Sequence, residues 1–287
     1  MNPVVLMLIG AALISTSAVF VKWADVAPSV SAFWRMAFGA LLLAPIAWRA
    51  ARDAPLPRPR ALALLALASV FFALDLFLWH RSILYVGPGL ATLLANFQVF
   101  ILAAVGILWL GERVSAKFWF AVVLSLAGLW LLVGADWNVL GPSMRAGVWL
   151  GLGTAVAYAC YLLSMRRAQT GPQAPSAELG LWWSTAICAA MLALDVVAEG
   201  QRFAIPDAKS LASLVAYAAI AQVVGWIAIV RAMPRLPAST VGLLLLLQPS
   251  LAFVWDVVLF DRAVDLGDAV GIACSLAGIF LGTTRNA

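Results

Sequence analysis

The chain contains one element twice: RSILYVGPGLATLLANFQ at residues 81–98 and RAMPRLPASTVGLLLLLQ at residues 231–248. The two copies agree at the pairs Arg81/Arg231, Leu93/Leu243, Leu94/Leu244 and Gln98/Gln248. A tetrapeptide recurs at the same offset of 150 positions, because residues 125–128 and 275–278 are both Ser-Leu-Ala-Gly. An internal duplication of this kind in an apolar chain predicts a protein built from two related halves with a site between them.

Composition identifies the surroundings in which these halves fold. Of the 287 residues, 64% are hydrophobic and 11% are charged, and the mean hydropathy is +1.01. One soluble core cannot bury so many apolar side chains, so most of them face lipid or neighbouring membrane helices. Because no alternating apolar pattern of the kind found in membrane strands repeats, we predict an all-α membrane protein.

Ten apolar runs approach or exceed the length that crosses hydrocarbon as a helix, roughly 17 to 25 residues. The predicted spans are residues 3–24, 29–48, 60–83, 88–110, 115–133, 146–167, 176–198, 211–233, 237–260 and 266–283. Five spans per half is an odd number, so the second half starts on the opposite side of the membrane. The sequence therefore predicts ten transmembrane helices as two inverted five-helix repeats, residues 1–133 and 146–287, joined by a linker at residues 134–145.

The distribution of basic residues predicts the orientation. With the N-terminus in the cytoplasm, 11 Lys and Arg residues lie in the inner segments and 6 in the outer ones. Cytoplasmic loops are usually the basic ones, so we expect both termini to be cytoplasmic. The net charge of +5 then describes a basic cytoplasmic face, and no basic stripe with interleaved aromatic residues indicates a nucleic-acid surface.

Three short motifs carry a resemblance to a known family. Gly111-Glu112-Arg113 closes the fourth span, Ser-Leu-Ala-Gly ends the fifth, and Gln248-Pro249 lies within the ninth. With the two five-helix repeats, these features resemble the EamA branch of the drug/metabolite transporter superfamily over essentially the whole chain. Two positions depart from the family pattern: residues 260–262 are Phe-Asp-Arg where Gly-Glu-Arg is expected, and Val99 stands where proline is expected.

The resemblance implies a secondary transporter that exports small metabolites across the bacterial inner membrane by alternating access. Similarity to amino-acid exporters makes amino acids, including hydrophobic and aromatic ones, the expected cargo. The alternatives are export of another small uncharged or cationic metabolite or drug, and a membrane scaffold that transports nothing. The expected partners are the small-molecule substrate and membrane lipid, with a monomer as the expected unit.

Two glutamines are the first candidates for the substrate site. Gln98 lies ten residues into the fourth span and Gln248 eleven residues into the ninth, so both are roughly 15 Å deep, near the membrane midplane. An amide offers two donors and one acceptor, which suits a zwitterionic or amide-bearing solute. The alternative is that both glutamines only join neighbouring helices. Pro249 cannot donate to the carbonyl of Leu245 and predicts a bend beside the site.

Further polar and aromatic side chains reach the membrane interior. Tyrosine and tryptophan combine a large apolar face with one polar group and suit solutes with hydrophobic or aromatic side chains. The additional substrate-binding candidates are Trp79, Asn96, Tyr158, Tyr161, Gln222 and Trp226. For most of the 13 tryptophans, packing or a place at the membrane interface is the simpler interpretation.

Three ionisable residues complete the set of candidates. Arg35 and Asp75 lie on neighbouring spans, both roughly 9 to 12 Å below the outer surface, where pairing offsets the cost of a buried charge. We predict a structural ion pair, with substrate binding or proton handling as the alternative. His80 is the single histidine of the chain, and it either titrates near neutral pH or is held by a hydrogen bond.

The sequence offers no chemistry of other kinds. It contains no combination of nucleophile and base and no His, Cys, Asp and Glu cluster at one membrane depth, so we expect no enzyme activity, no metal and no cofactor. The cysteines Cys160, Cys188 and Cys274 fall within predicted spans and are expected to be packing residues.

Overall fold

The computed structural model describes residues 1–52, 58–133, 142–170, 174–261 and 264–283, and all regular structure in these ranges is helical. The first half contains α1 (Pro3–Ser15), α2 (Ser17–Trp23), α3 (Pro28–Ala51), α4 (Pro59–Ala95), α5 (Gln98–Leu110) and α6 (Ala116–Val133). The second half contains α7 (Pro142–Ala168), α8 (Ala177–Ala198), α9 (Ala208–Tyr217), a π-helical segment (Ala218–Gly225), α10 (Trp226–Ala232), a 3-10 turn (Met233–Arg235), α11 (Ala238–Leu245), α12 (Leu247–Phe260) and α13 (Leu266–Thr283).

The all-helical prediction is confirmed for the described residues. Within the described ranges, seven helical segments are long and apolar enough to cross a membrane: Pro3–Trp23, Pro28–Ala51, Pro59–Val86, Ser143–Ala168, Ala177–Ala198, Ala208–Arg235 and Ala238–Phe260. Three shorter apolar helices, Gln98–Leu110, Ala116–Leu131 and Leu266–Gly282, coincide with the fourth, fifth and tenth predicted spans. A total of ten complete crossings stays a prediction. Of the predicted linker, residues 134–141 lie outside the described residues and 142–145 belong to α7.

The third and fourth predicted spans are joined by a bend in one helix. α4 is continuous from Pro59 to Ala95, yet Nε1 of Trp79 donates to Oγ1 of Thr92, 13 residues later, at 3.4 Å. In a straight helix these residues would be about 20 Å apart, so α4 turns sharply between them. The sequence between them contains Gly87-Pro88-Gly89, and a proline within a helix removes a backbone donor and favours a kink.

The two halves pack on each other in a reciprocal pattern. α3 packs on α8 and α6 on α13, and each of these two contacts joins equivalent elements of the two halves, whereas α5 packs on α11, an element of the equivalent predicted span. α1 packs on α10 and α4 packs on α7, which are the same contact with the halves exchanged. A two-fold axis between the halves produces reciprocal contacts of this kind.

The repeated tetrapeptide forms the contact between α6 and α13. The hydroxyl of Ser125 donates to the carbonyl of Ser275 at 3.2 Å. A methyl group on Gly128 would overlap the carbonyl of Gly271, and a methyl group on Gly278 would overlap the side chain of Ser125. Small residues at both positions let the two backbones approach closely, as in other membrane helix pairs.

Helix interruptions occur at equivalent positions of the two halves. α4 stops at Ala95 before α5 begins at Gln98, and α11 stops at Leu245 before α12 begins at Leu247. The second interruption lies directly before Gln248-Pro249, where the proline predicts a bend. In the eighth span, a π-helical segment ends at Gly225, next to Trp226. Irregular helix geometry of this kind is frequent at functional sites.

Candidate functional site

A cavity of about 170 Å³ lies between the two halves. Cavities of roughly 150 Å³ accommodate a molecule the size of benzene, so this one suits a small metabolite. The first half contributes Ile14, Ser15, Ser17, Ala18, Arg35, Phe72, Asp75, Leu76, Trp79, Thr92, Ala95 and Asn96. The second half contributes Thr154, Tyr158, Tyr217, Trp226, Gln248, Pro249 and Ala252.

The structure brings seven of the candidate residues to the cavity wall and leaves four outside it. The lining candidates are Trp79, Asn96, Tyr158, Trp226, Gln248, Arg35 and Asp75. Gln98, Tyr161, Gln222 and His80 are not among the lining residues. Sequence reasoning missed Phe72 and Tyr217, two aromatic residues of the wall.

One side of the cavity is aromatic. The ring of Trp226 meets Phe72 edge-on at 5.3 Å between centroids and Tyr158 edge-on at 6.4 Å. Tyr161 lies behind this wall, fully buried, stacked on Phe72 at 4.3 Å and edge-on to Trp226 at 5.1 Å. The rings fix one another in place and present a rigid apolar surface to the cavity.

Another part of the wall carries a buried cation. Arg35, on α3, is only 6% exposed. Its Nε donates to Oε1 of Gln222 at 3.0 Å, and its Nη1 donates to the hydroxyl of Tyr217 at 3.0 Å. Nε2 of Gln222 in turn donates to Oγ1 of Thr185 at 2.9 Å. Gln222 therefore stands behind the guanidinium and orients it, without lining the cavity itself.

The carboxylate of Asp75 faces the same cavity from α4 and is 8% exposed. Arg35 gives its hydrogen bonds to Gln222 and Tyr217, and in the described part of the chain no direct ion pair joins it to Asp75. Instead of the predicted direct pair, the two side chains lie separately on the wall of one cavity.

The two glutamines have different surroundings. Gln248 lines the cavity, and its Nε2 is buried without a hydrogen-bond partner among the described residues, as is Nε1 of Trp226. Gln98 is fully buried, and its Nε2 donates to the carbonyl of Gly242 on α11 at 3.4 Å. Thus Gln248 has the location expected of a cargo-binding residue, whereas Gln98 has the contacts of a residue that joins helices.

His80 lies outside the cavity and is held by its own helix. Its Nδ1 is 2.6 Å from the carbonyl of Leu76, and its ring lies edge-on to Trp79 at 5.1 Å. The next residue, Arg81, forms ion pairs with Asp195 at 2.9 Å and with Glu199 at 3.1 Å, near the C-terminal end of α8.

The repeat counterpart of Arg81 makes a similar contact at the other end of α8. Arg231 forms an ion pair with Glu178, in the first turn of that helix. The arginines that mark the start of the duplicated element therefore tie α8 at both ends.

Within the described ranges, no group of three His, Cys, Asp or Glu residues is arranged to hold a metal ion.

Comparison with known proteins agrees with this architecture. The family described as "EamA-like transporter family" matches residues 1–134 and 145–284, one match in each half. A solved structure titled "Crystal structure of protein" superposes with a TM-score of 0.83 over 98% of this chain and 98% of its own, at 19% sequence identity, which shows a shared fold. No curated protein matches the sequence. Because the family match covers both halves, the chain belongs to the EamA-like transporter family.

Proposed function

We propose that this protein exports amino acids, including those with hydrophobic or aromatic side chains, across the bacterial inner membrane. Membership of the EamA-like family makes it a membrane transporter of small molecules rather than an enzyme. The cargo class is supported by one observation above all: a buried arginine, a buried aspartate and an aromatic wall surround one small cavity. Both termini lie in the cytoplasm in this proposal, in keeping with the basic inner segments, and the unit is a monomer.

The charged groups of a free amino acid match the charges of the wall. A guanidinium has five N–H donors, and Arg35 commits one at Nε and one at Nη1 to protein partners. The remaining donors are available for the cargo carboxylate. Asp75 offers acceptors to the cargo ammonium, and bonds between ionised groups are the strong ones.

The rest of the wall suits the cargo side chain. Phe72, Tyr158 and Trp226 form a continuous aromatic surface that accepts an apolar or aromatic group. The unpartnered donors on Gln248 and Trp226 are available to a carbonyl or carboxylate oxygen, since buried donors normally find an acceptor.

Movement of the two halves relative to each other would expose this cavity to either side in turn. The reciprocal packing of the halves and the equivalent interruptions around Gln98 and Gln248 support such a mechanism. Transporters with repeated halves commonly bind cargo near the midplane at discontinuous helices and work by rocking.

A set of three related compounds tests the cargo class in proteoliposomes. Uptake and counterflow are measured for a radiolabelled aromatic amino acid, for its decarboxylated amine and for its deaminated acid, with and without a pH gradient. We expect the zwitterion to be transported and both single-charge analogues to be poor substrates. Transport of the deaminated acid at the rate of the amino acid contradicts a role for Asp75 in cargo binding.

The same measurement decides between this proposal and a cation exporter. The buried carboxylate of Asp75 favours that second function, because a cationic cargo needs a deep anionic partner. Transport of the amine in preference to the amino acid establishes the cationic alternative. Failure to transport any member of a broad panel, with folded protein in the vesicles, favours a scaffold.

A further inference from the structure

Glu112 caps the start of α11 from the other half of the protein. Its Oε1 accepts the backbone N–H of Ala238 at 2.6 Å, and its Oε2 accepts the N–H and the hydroxyl of Ser239 at 3.1 and 2.7 Å. The residue that precedes α11, Pro237, provides no side-chain cap. Free N–H groups and a partial positive charge at a helix start favour a carboxylate at this point. Glu112 therefore connects the end of α5 to the beginning of α11.

The connected helices lie on the side of the interruptions that faces away from the cavity. Thr92 and Asn96 line the cavity before α5 begins, and Gln248 and Pro249 line it after α11 ends. α5 has 13 residues and is about 20 Å long, so Glu112 is far from the cavity wall. α5 and α11 thus lie between the cavity and the membrane end at which Glu112 lies.

α5 and α11 touch each other closely. A methyl group on Gly242 would lie 3.1 Å from the Cα of Val99, so the backbones are almost in contact. Beside this point, Gln98 donates to the carbonyl of Gly242. Backbone packing near the interruptions and the bonds of Glu112 at the far end therefore hold α5 and α11 together.

The sequence does not repeat the residues of this connection at the opposite end of the protein. At the 150-residue offset, Gly111 corresponds to Asp261, and both have a positive φ, 68° and 51°. Asp261 thus occupies the position of Gly111 rather than that of Glu112, which corrects the match suggested by sequence. Glu112 then corresponds to Arg262, which is not acidic, and Ala238 corresponds to Pro88, which has no N–H to donate.

We propose that Glu112 is a gating residue that holds α5 and α11 together and keeps its own end of the cargo pathway closed at rest. Opening of the cavity toward that end requires the carboxylate to release the start of α11. By the predicted orientation this end faces the cytoplasm, so the resting transporter is closed to the cytoplasm. The inference rests on the proposed transport by alternating access, but it concerns conformation and is independent of the cargo.

Accessibility of the cavity from each membrane side tests the proposal. Ala95 lines the cavity, so Ala95→Cys serves as the probe in a background with Cys160, Cys188 and Cys274 replaced by Ala. Right-side-out and inside-out vesicles are treated with a membrane-impermeant maleimide. Glu112→Gln should raise labelling from the cytoplasmic side by about ten-fold, since hydrogen bonds to charged groups are the strong ones. Ser239→Ala, which removes one of the three bonds, should raise it less.

Glu178→Gln is the matched control, because it removes an acidic ion-pair partner of Arg231 at the same predicted membrane end without touching α5 or α11. Its labelling should equal that of the parent. Unchanged cytoplasmic labelling in folded Glu112→Gln overturns the proposal, as does an equal rise in Glu178→Gln. If Glu112→Gln does not fold, Ser239→Ala decides alone. Labelling requires no cargo, so it tests the gating proposal alone. The amino-acid proposal is tested separately, by the transport assay.

Discussion

Replacing Gln222 by Leu tests whether Arg35 binds the cargo carboxylate. Gln222 is fully buried and does not line the cavity, so the substitution replaces no lining residue and removes the acceptor that supports the guanidinium, together with the bond from Gln222 to Thr185. Arg35 then loses the bond from Nε to Oε1 and keeps the bond to Tyr217.

The expected magnitude follows from that single bond. A hydrogen bond to a charged group contributes about 1.5 to 3 kcal/mol. If all of this free energy is lost from the binding of the cargo carboxylate, the apparent KM for an aromatic amino acid rises by about 10- to 150-fold. The decarboxylated amine has no carboxylate, so its weaker transport should not change further.

Transport kinetics in proteoliposomes give the KM for the amino acid and for the amine. Thr185→Ala is the control. That variant removes the second partner of Gln222 and preserves the bond to Arg35, so its KM should rise much less. An unchanged KM for the amino acid in Gln222→Leu refutes the assignment of Arg35. Equal increases for the amino acid and the amine also refute it, because they indicate general damage to the cavity.

Three further outcomes are expected. Gln248→Leu should raise the KM for amino acids several-fold, since an amide hydrogen bond contributes about 0.5 to 1.5 kcal/mol, whereas Gln98→Leu should leave the KM unchanged. Gly278→Val should abolish the monodisperse peak in size-exclusion chromatography through overlap with α6, whereas Leu276→Val, on the outward side of α13, should preserve it. Asp207 caps α9, and the backbone N–H that it accepts holds its pKa below the usual value. Its stabilisation is therefore present at neutral pH and lost as the pH falls through that lowered pKa, so the melting temperatures of wild type and Asp207→Ala should converge on acidification.

The duplication and the apolar runs were sufficient to predict an all-helical protein with two related halves. The prediction of a loop between the third and fourth spans was wrong, because the structure has a bend within α4 at that place. Hydropathy measures where apolar residues begin and end, and it does not distinguish a loop from a sharp helical turn.

Depth alone could identify part of the site. Gln98 and Gln248 have similar depth, yet only Gln248 reaches the cavity. Residue counts along a helix give the depth of a side chain but not its direction around the axis, and the interruptions change that direction. Phe72 was missed because a phenylalanine in an apolar run carries no polar signal.

The contacts of Arg35 depended on geometry that the sequence does not reveal. Tyr217 and Gln222 are five residues apart and both accept from Arg35. In a regular α-helix they would point about 140° apart. The π-helical segment Ala218–Gly225, whose hydrogen bonds run from i to i+5, brings them toward one face.

The contact between α6 and α13 has a further consequence for the origin of the chain. Each half contributes the same Ser-Leu-Ala-Gly to it, with Gly128 and Gly278 set against the opposing helix, as in an interface between two identical subunits. A five-helix unit carrying this tetrapeptide therefore has the surface needed to pair with an oppositely inserted copy of itself. In a dimer of two identical subunits, every substitution is present in both copies. In a single chain the two copies can differ, as Glu112 and Arg262 do, so the two ends of the protein are chemically unequal.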